Sequence, residues 1–234
     1  MSNPRKIRCR VERITDHGDR VFTVDLVPER PVPPFRPGHF LHLTLDEYDP
    51  SGFWPESRVF SIASSPTERS RLQVIYSVKG VYTSRMEREL KAGGSVWVKL
   101  PYGEFEVNGA TEAVLIAGGT GITAFQAFIE GLPPDGPAVV LLYGTRRPGL
   151  LLGRELIDEK VRTSKHFQAF YFSETEAAGG VHPGRVRLDV LKGCPISPAA
   201  IYYLAGPPPM LAAFRRELEA QGIPTTQIRV DAWE

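Results

Sequence analysis

Hydrophobic and polar positions change rhythm partway along this chain. Before about residue 107 they alternate in short runs. Ile7, Cys9 and Val11 are separated by Arg8 and Arg10; Phe22, Val24 and Leu26 repeat the pattern, as do Leu41, Leu43 and Leu45, then Leu72, Val74, Tyr76 and Val78, then Val96, Val98 and Leu100. A period of two sends one set of side chains to each face of a strand. With the run RVFSIAS at Arg58 added, roughly six short strands bounded by turn residues predict an antiparallel β-barrel or sandwich. One stretch departs from this, SRMERELKAGG, where Ser84 and Glu87 have capping-box spacing and Gly93 and Gly94 stop a helix. A helix N-terminus is expected near Thr83.

After Val107 the pattern becomes apolar strand, loop, amphipathic helix, repeated, which predicts an α/β unit with a parallel sheet and crossover helices. Five strands are expected, at residues 113–117, 138–143, 167–172, 200–205 and 227–230. Ile122, Phe125, Phe128 and Ile129 make one helical stripe; Met210, Phe214 and Leu218 make another. The expected organisation is therefore two domains, residues 1–108 and 109–234.

Composition narrows the function classes. The chain has 234 residues, with 28 basic and 27 acidic side chains and a formal net charge of +1. That balance lacks the excess that drives binding to a nucleic-acid backbone or an anionic membrane. Its apolar runs fall far short of the roughly 18 residues a membrane span needs, and the start MSNPRKIRCR has no apolar stretch of a secretory signal. A cytoplasmic protein, working as a monomer, is expected. Two cysteines cannot supply the four thiolates that an iron–sulfur cluster normally takes. The five histidines show no ligand spacing, so no metal site is expected. Gly and Pro together make about 18% of the chain against a usual ~12%, and they punctuate the strands.

In an open parallel sheet, ligands bind beyond the carboxyl ends of the strands. The expected strands end in GGTGITA (118–124), GTRR (144–147), SETE (173–176) and GPPPM (206–210). Gly119, Gly121 and Ala124 satisfy GxGxxA between a strand and a helix, where helix-start amides can face a pyrophosphate; a tight strand-to-helix turn would ask for the same glycines. No acidic residue follows at the distance that would serve a ribose 2′-hydroxyl. Arg146 and Arg147 stand there instead, either for a 2′-phosphate or as solvated arginines.

The first half has its own candidate in RVFSIASSP (58–66). Arg58 offers a fork suited to a pyrophosphate, Phe60 a face for a planar ring, and Ser61 a hydroxyl beside it; a surface arginine and a core phenylalanine would read the same way. The helix start near Thr83 would add a second anion site.

The ordered set RVFSIASSP, GVYTSRM, PYGEF, AGGTGIT, YGTR and LAGPPPM resembles the ferredoxin–NADP reductase family, including the reductase components of bacterial oxygenases, over about residues 5 to 233. The resemblance implies an FAD-binding barrel (1–108) and an NAD(P)-binding α/β domain (109–234), with NADPH or NADH as coenzyme. It places Arg58 on the FAD pyrophosphate, with Val59 beside it. Phe60 then lies on the isoalloxazine and Ser61 near flavin N5. Ile75, Tyr76 and Ser77 border the ribityl and adenosine parts, and Gly80, Val81, Tyr82, Thr83 and Ser84 form the helix start that meets the FAD phosphates. Thr120 resembles a threonine between flavin and nicotinamide. Gly118, Gly119 and Gly121, with Gly206, Pro207 and Met210, resemble the loops that seat the dinucleotide, and Arg146 and Ser173 resemble its adenosine-end contacts. In the ending VDAWE, Asp231 and Trp233 resemble an acidic residue and an aromatic that covers the flavin.

Four positions depart from the family pattern. Ala205 stands where many members have cysteine, Phe60 replaces tyrosine, Ala124 replaces proline, and Glu174 stands where members that accept a 2′-phosphate often carry arginine. The implied activity is hydride transfer from NAD(P)H to FAD, with Ser61, Asp231 and Trp233 as catalytic residues, then single-electron delivery to a ferredoxin, a flavodoxin or an oxygenase component. A free-flavin or quinone reductase and a non-catalytic FAD-binding sensor are the alternatives.

Overall fold

The computed structural model describes residues 3–177 and 179–231. Contacts divide the chain into two compact units, with the division between Glu106 and Val107.

The first unit is a six-stranded antiparallel sheet. Its strands are β1 (Arg5–Asp16), β2 (Val21–Pro28), β3 (Phe40–Thr44), β4 (Arg58–Ser61), β5 (Leu72–Ser77) and β6 (Ser95–Tyr102), in the order β4-β3-β6-β1-β2-β5. The alternation in the sequence explains the core: Ile7, Cys9, Val11, Val24, Leu26, Leu41, Leu43, Val74, Val96 and Val98 are all buried in one cluster. The edge strands approach each other where the Ala63 amide donates to the Gln73 carbonyl at 2.9 Å and the Gln73 amide donates to Ser64 Oγ at 3.1 Å. The sheet is thus a nearly closed barrel, which leaves little unpaired edge.

The helix of this unit, α1 (Val81–Glu89), begins two residues before the expected Thr83. Its N-cap is Gly80, and Ser84 is already inside, donating its amide to the Gly80 carbonyl at 2.9 Å. The capping-box spacing of Ser84 and Glu87 misleads because Glu87 is engaged elsewhere, in a two-pronged pair with Arg20 at 3.1 and 2.5 Å. Leu90 follows the helix, so Gly93 and Gly94 lie in the turn beyond rather than at its end.

In the second unit, β7 (Ala113–Gly118), α2 (Thr123–Glu130), β8 (Val139–Thr145), α3 (Arg154–Thr163), β9 (Phe167–Ser173), β10 (Val181–Pro183), β11 (Ile201–Ala205), α4 (Pro208–Ala220) and β12 (Ile228–Asp231) form a parallel sheet with its crossovers. Strand order is β10-β9-β8-β7-β11-β12, so the sheet has six strands and not the expected five. The additional strand, β10, is three residues long and pairs with the end of β9. Its sequence VHP lies between glycines and carries no apolar alternation, so nothing in the hydropathy marks it. The helix α3 is likewise an addition to the pattern read from sequence. All six residues of β7 are buried, as suits a central strand covered on both faces.

Candidate functional site

In the first unit the site begins with Tyr82. Its buried hydroxyl accepts from the Leu45 amide at 3.1 Å and faces the Leu43 carbonyl at 3.0 Å and the Glu56 carbonyl at 3.3 Å. One side chain of α1 therefore pins the end of β3 and both ends of the loop between β3 and β4. Burial pushes the Tyr82 phenol above its ordinary pKa, so it stays a donor. Against the face of this ring lies Arg58, its guanidinium 4.8 Å from the ring centre. The guanidinium also contacts Glu56 at 3.0 Å and the Ser57 carbonyl at 2.9 Å, and the side chain is 47% exposed. Arginine in this setting is held in direction while its outer donors remain in solvent.

The start of α1 carries Tyr82 itself, as the second residue of the helix. Gly80 is extended, and no side chain caps the first turn. Thr83 turns back instead, its Oγ1 accepting from the amides of Lys79 at 2.9 Å and Gly80 at 3.1 Å. The first-turn amides have no intrahelical acceptor by construction, and they carry the positive end of the helix dipole. Arg58 and this helix start together are a donor set chemically suited to a pyrophosphate.

Farther along β4, Phe60 is half-buried and meets Tyr76 edge-on at 6.1 Å, while Tyr76 stacks on Phe22 at 5.4 Å. Burial pushes the Tyr76 phenol up to about 12, helped by Glu87 and Asp16. On β4, Val59 pairs with His42 and Ser61 with Phe40. On β5, Ile75 and Ser77 pair with Thr23 and Val21. Behind Ser61, the His39 carbonyl takes the Ile62 amide at 2.9 Å. The His39 ring is buried; Nδ1 accepts from the Arg36 amide at 3.2 Å, which leaves Nε2 to donate to Glu106 at 3.2 Å.

In the second unit the geometry centres on β7 and β11, where strand order reverses direction: β8 lies on one side of β7 and β11 on the other. That is the switch point at which doubly wound sheets bind ligands. The loops leaving these two strands interlock through glycine. A methyl group on Gly121 would collide with the Ala205 carbonyl, and one on Gly206 would sit 3.1 Å from the Gly118 amide nitrogen. A methyl on Gly118 would strike the Met210 sulfur. Three sequence-predicted residues are thus small because another segment's atoms fill their side-chain space, which leaves backbone facing the crevice. Thr120 sits in the short turn between Gly119 and Ile122, its carbonyl accepting from Thr123 Oγ1 at 2.8 Å.

The two loops do different chemistry. The turn after β7 offers amides. The helix α4 instead begins with prolines at its first two positions and Pro207 as N-cap, and proline has no N–H to give. GPPPM is therefore a rigid apolar wall rather than an anion hole.

At the carboxyl ends of the next two strands, Thr145 of β8 pairs with Ser173 of β9. Ser173 is fully buried, and its hydroxyl donates to the Arg146 carbonyl at 3.3 Å, tying the two loops together. The Arg146 side chain is exposed. Glu174 is paired with Arg185 at 3.5 Å, with its carboxylate side 47% exposed. Asp231, the last residue of β12, pairs with Ala205 of β11 and is half-buried. Trp233 lies outside the described residues. Phe53, which the sequence reading passed over, is 99% exposed; a single apolar residue in a turn-rich segment gives no periodic signal.

A nearly closed barrel followed in the same chain by a switch-point parallel sheet is the fold of ferredoxin–NADP reductase-like proteins, and the comparisons agree. Residues 115–216 match the family model of the oxidoreductase NAD-binding domain. The chain is 26% identical to a flavohemoprotein of Rhizobium meliloti over 227 residues, 91% of this chain and 56% of that protein. It is 28% identical to the reductase component of phenol 2-monooxygenase from a Pseudomonas species over 218 residues, 87% of this chain and 58% of that protein. It therefore spans a little over half the length of the curated relatives it matches. Among solved structures, the FAD/NAD-binding domain of a nitric oxide dioxygenase from Vibrio cholerae superposes with a TM-score of 0.78 at 18% identity, covering 96% of this chain and 97% of that one. No helix among the described residues is long and apolar enough to cross a membrane.

Proposed function

We propose that this chain is an FAD-containing NAD(P)H reductase that delivers electrons singly to a separate redox protein, a ferredoxin, a flavodoxin or an oxygenase component. Residues 1–108 take the FAD and residues 109–234 the coenzyme. The observation that carries this reading is the interlock of Gly118, Gly121 and Gly206, which leaves bare backbone at the switch point, where doubly wound sheets bind dinucleotides.

FAD, when bound, supplies the conversion of a two-electron hydride into single electrons. The chain's own residues do the rest by binding and orientation. Arg58 and the first amides of α1 hold the pyrophosphate, Phe60 presents its face to the ring, and the Ser61 hydroxyl donates to a ring nitrogen. The amides of Gly119, Thr120 and Gly121 take the coenzyme's phosphates while Pro207 and Met210 set its angle of entry. Asp231, beside Ala205, holds a carboxylate close to the end of β11 and can orient or pass a proton. The free thiols of Cys9 and Cys194 suit a reducing cytoplasm, and we expect a monomer, which sedimentation would check.

The test is anaerobic titration of the purified protein with NADH and NADPH, followed by a screen of one-electron acceptors. Loss of the flavin absorbance on coenzyme addition, then reduction of a redox protein, is the expected result. A protein that refuses added FAD, or a bound flavin that neither coenzyme bleaches, would overturn the reading.

A further inference from the structure

We infer that Phe53 is the platform for the adenine ring of FAD, so that this chain selects FAD over FMN; the inference rests on the flavin reading above. Among the described residues, Phe53 at 99% and Val81 at 89% are the large apolar side chains standing most fully in solvent. Both lie close along the chain to members of the same donor set. Val81 is the first residue of α1, next to Tyr82, on whose ring Arg58 lies. Phe53 is three residues from Glu56, whose carboxylate touches Arg58 at 3.0 Å, and three residues of chain reach at most about 11 Å.

The exposure of Phe53 is built rather than incidental. Asp49 closes a turn by accepting from the Ser51 amide at 2.8 Å and its hydroxyl at 2.7 Å, and the Gly52 amide donates to the Asp49 carbonyl at 2.9 Å. On the other side Trp54 is tied back, its Nε1 donating to Ser57 Oγ at 3.0 Å and its ring 5.5 Å from Tyr48. The Tyr82 hydroxyl then fastens both ends of this segment, at Leu45 and Glu56. Both neighbours of Phe53 are thus anchored while its own ring stands in solvent. An exposed aromatic face on an anchored turn, five residues along the chain from Arg58, is what a nucleobase needs for stacking. FMN has the phosphate and the ring system but no adenine, so it has nothing to place there.

The experiment titrates protein freed of flavin with FAD and with FMN, following flavin fluorescence, in the wild type, Phe53→Ala, Phe53→Tyr and Arg58→Ala. Phe53→Ala is expected to weaken FAD about tenfold, within the range of one base-on-aromatic stack, and to leave FMN unchanged; Phe53→Tyr, which keeps the aromatic face, should bind FAD like the wild type. Arg58→Ala should weaken both flavins. Wild-type FAD affinity in Phe53→Ala, or an equal loss of FAD and FMN, overturns the adenine assignment while the flavin reading stands. A wild type that binds neither flavin overturns both.

Discussion

Arg58 and Tyr82 divide the labour of one contact: the guanidinium rests on the face of the ring while the hydroxyl at the ring's far end secures the backbone at Leu43, Leu45 and Glu56. The ring therefore joins an exposed charge to a buried anchor, and the two ends can be cut separately. Tyr82→Phe keeps the face but strands the Leu45 amide, and should lower unfolding free energy by about 1–3 kcal/mol, read from urea denaturation. Arg58→Ala should leave the urea midpoint nearly unchanged and weaken FAD by roughly 1.5–3 kcal/mol, the value of a charge-assisted hydrogen bond.

Gly121→Ala and Gly119→Ala make a second pair. At Gly121 a methyl meets the Ala205 carbonyl of the adjoining strand, which cannot yield without moving β11; at Gly119 nothing lies within 4 Å and the strain comes from a φ of +54° alone. The first variant should lose about 1–3 kcal/mol or more of stability, as overpacking does, together with coenzyme affinity. The second should lose only about 1 kcal/mol, at the low end of what such a backbone conformation costs a side chain. Equal losses in thermal unfolding would contradict this difference.

The pH dependence of stability should show the Glu106 carboxyl. Arg36, paired with it at 2.6 Å, and then the His39 hydrogen bond hold its pKa below the ordinary 4.5. A depressed carboxyl stabilises the fold above its unfolded pKa, and that contribution is lost as pH falls through the folded value. Urea midpoints of the wild type should therefore fall on acidification below about pH 4.5, and Glu106→Gln should flatten that part of the profile.

Coenzyme choice should respond to Glu174. Its carboxylate stands at the carboxyl edge of β9, opposite the exposed Arg146 at the end of β8, where a 2′-phosphate would meet like charge. Glu174→Arg should raise the ratio of NADPH to NADH kcat/KM by about tenfold, equivalent to roughly 1.4 kcal/mol. An unchanged ratio would place the 2′ position elsewhere.

Much of this molecule was legible in residue order because burial writes itself as periodicity. Val11 lies between Arg10 and Glu12 in an unbroken alternation, so its strand could be read; β10, with only Val181 buried among VHP, could not. Helix α1 was placed late because a capping spacing at Ser84 and Glu87 says nothing about Arg20, which lies far away in sequence yet takes Glu87. The glycines after β7 were readable as a turn, but the reason for Gly121, a carbonyl from a strand some eighty residues on, needed the fold. Phe53 and the anchoring hydroxyl of Tyr82 were silent for the same reason: their meaning lies in what surrounds them, not in what repeats beside them.

The glycine interlock also sets where this protein can diverge. A side chain on Gly206 would need the volume that Gly118 backbone fills, one on Gly121 would need that of the Ala205 carbonyl, and one on Gly118 would strike Met210 and Pro207, so an exchange at any of the three disturbs the exits of both β7 and β11. The exits of β8 and β9 carry Arg146 and Glu174 at the surface and face no such restriction. Descendants of this chain are free to change the charges at one corner of the sheet, while the packed glycine exits are inherited unaltered.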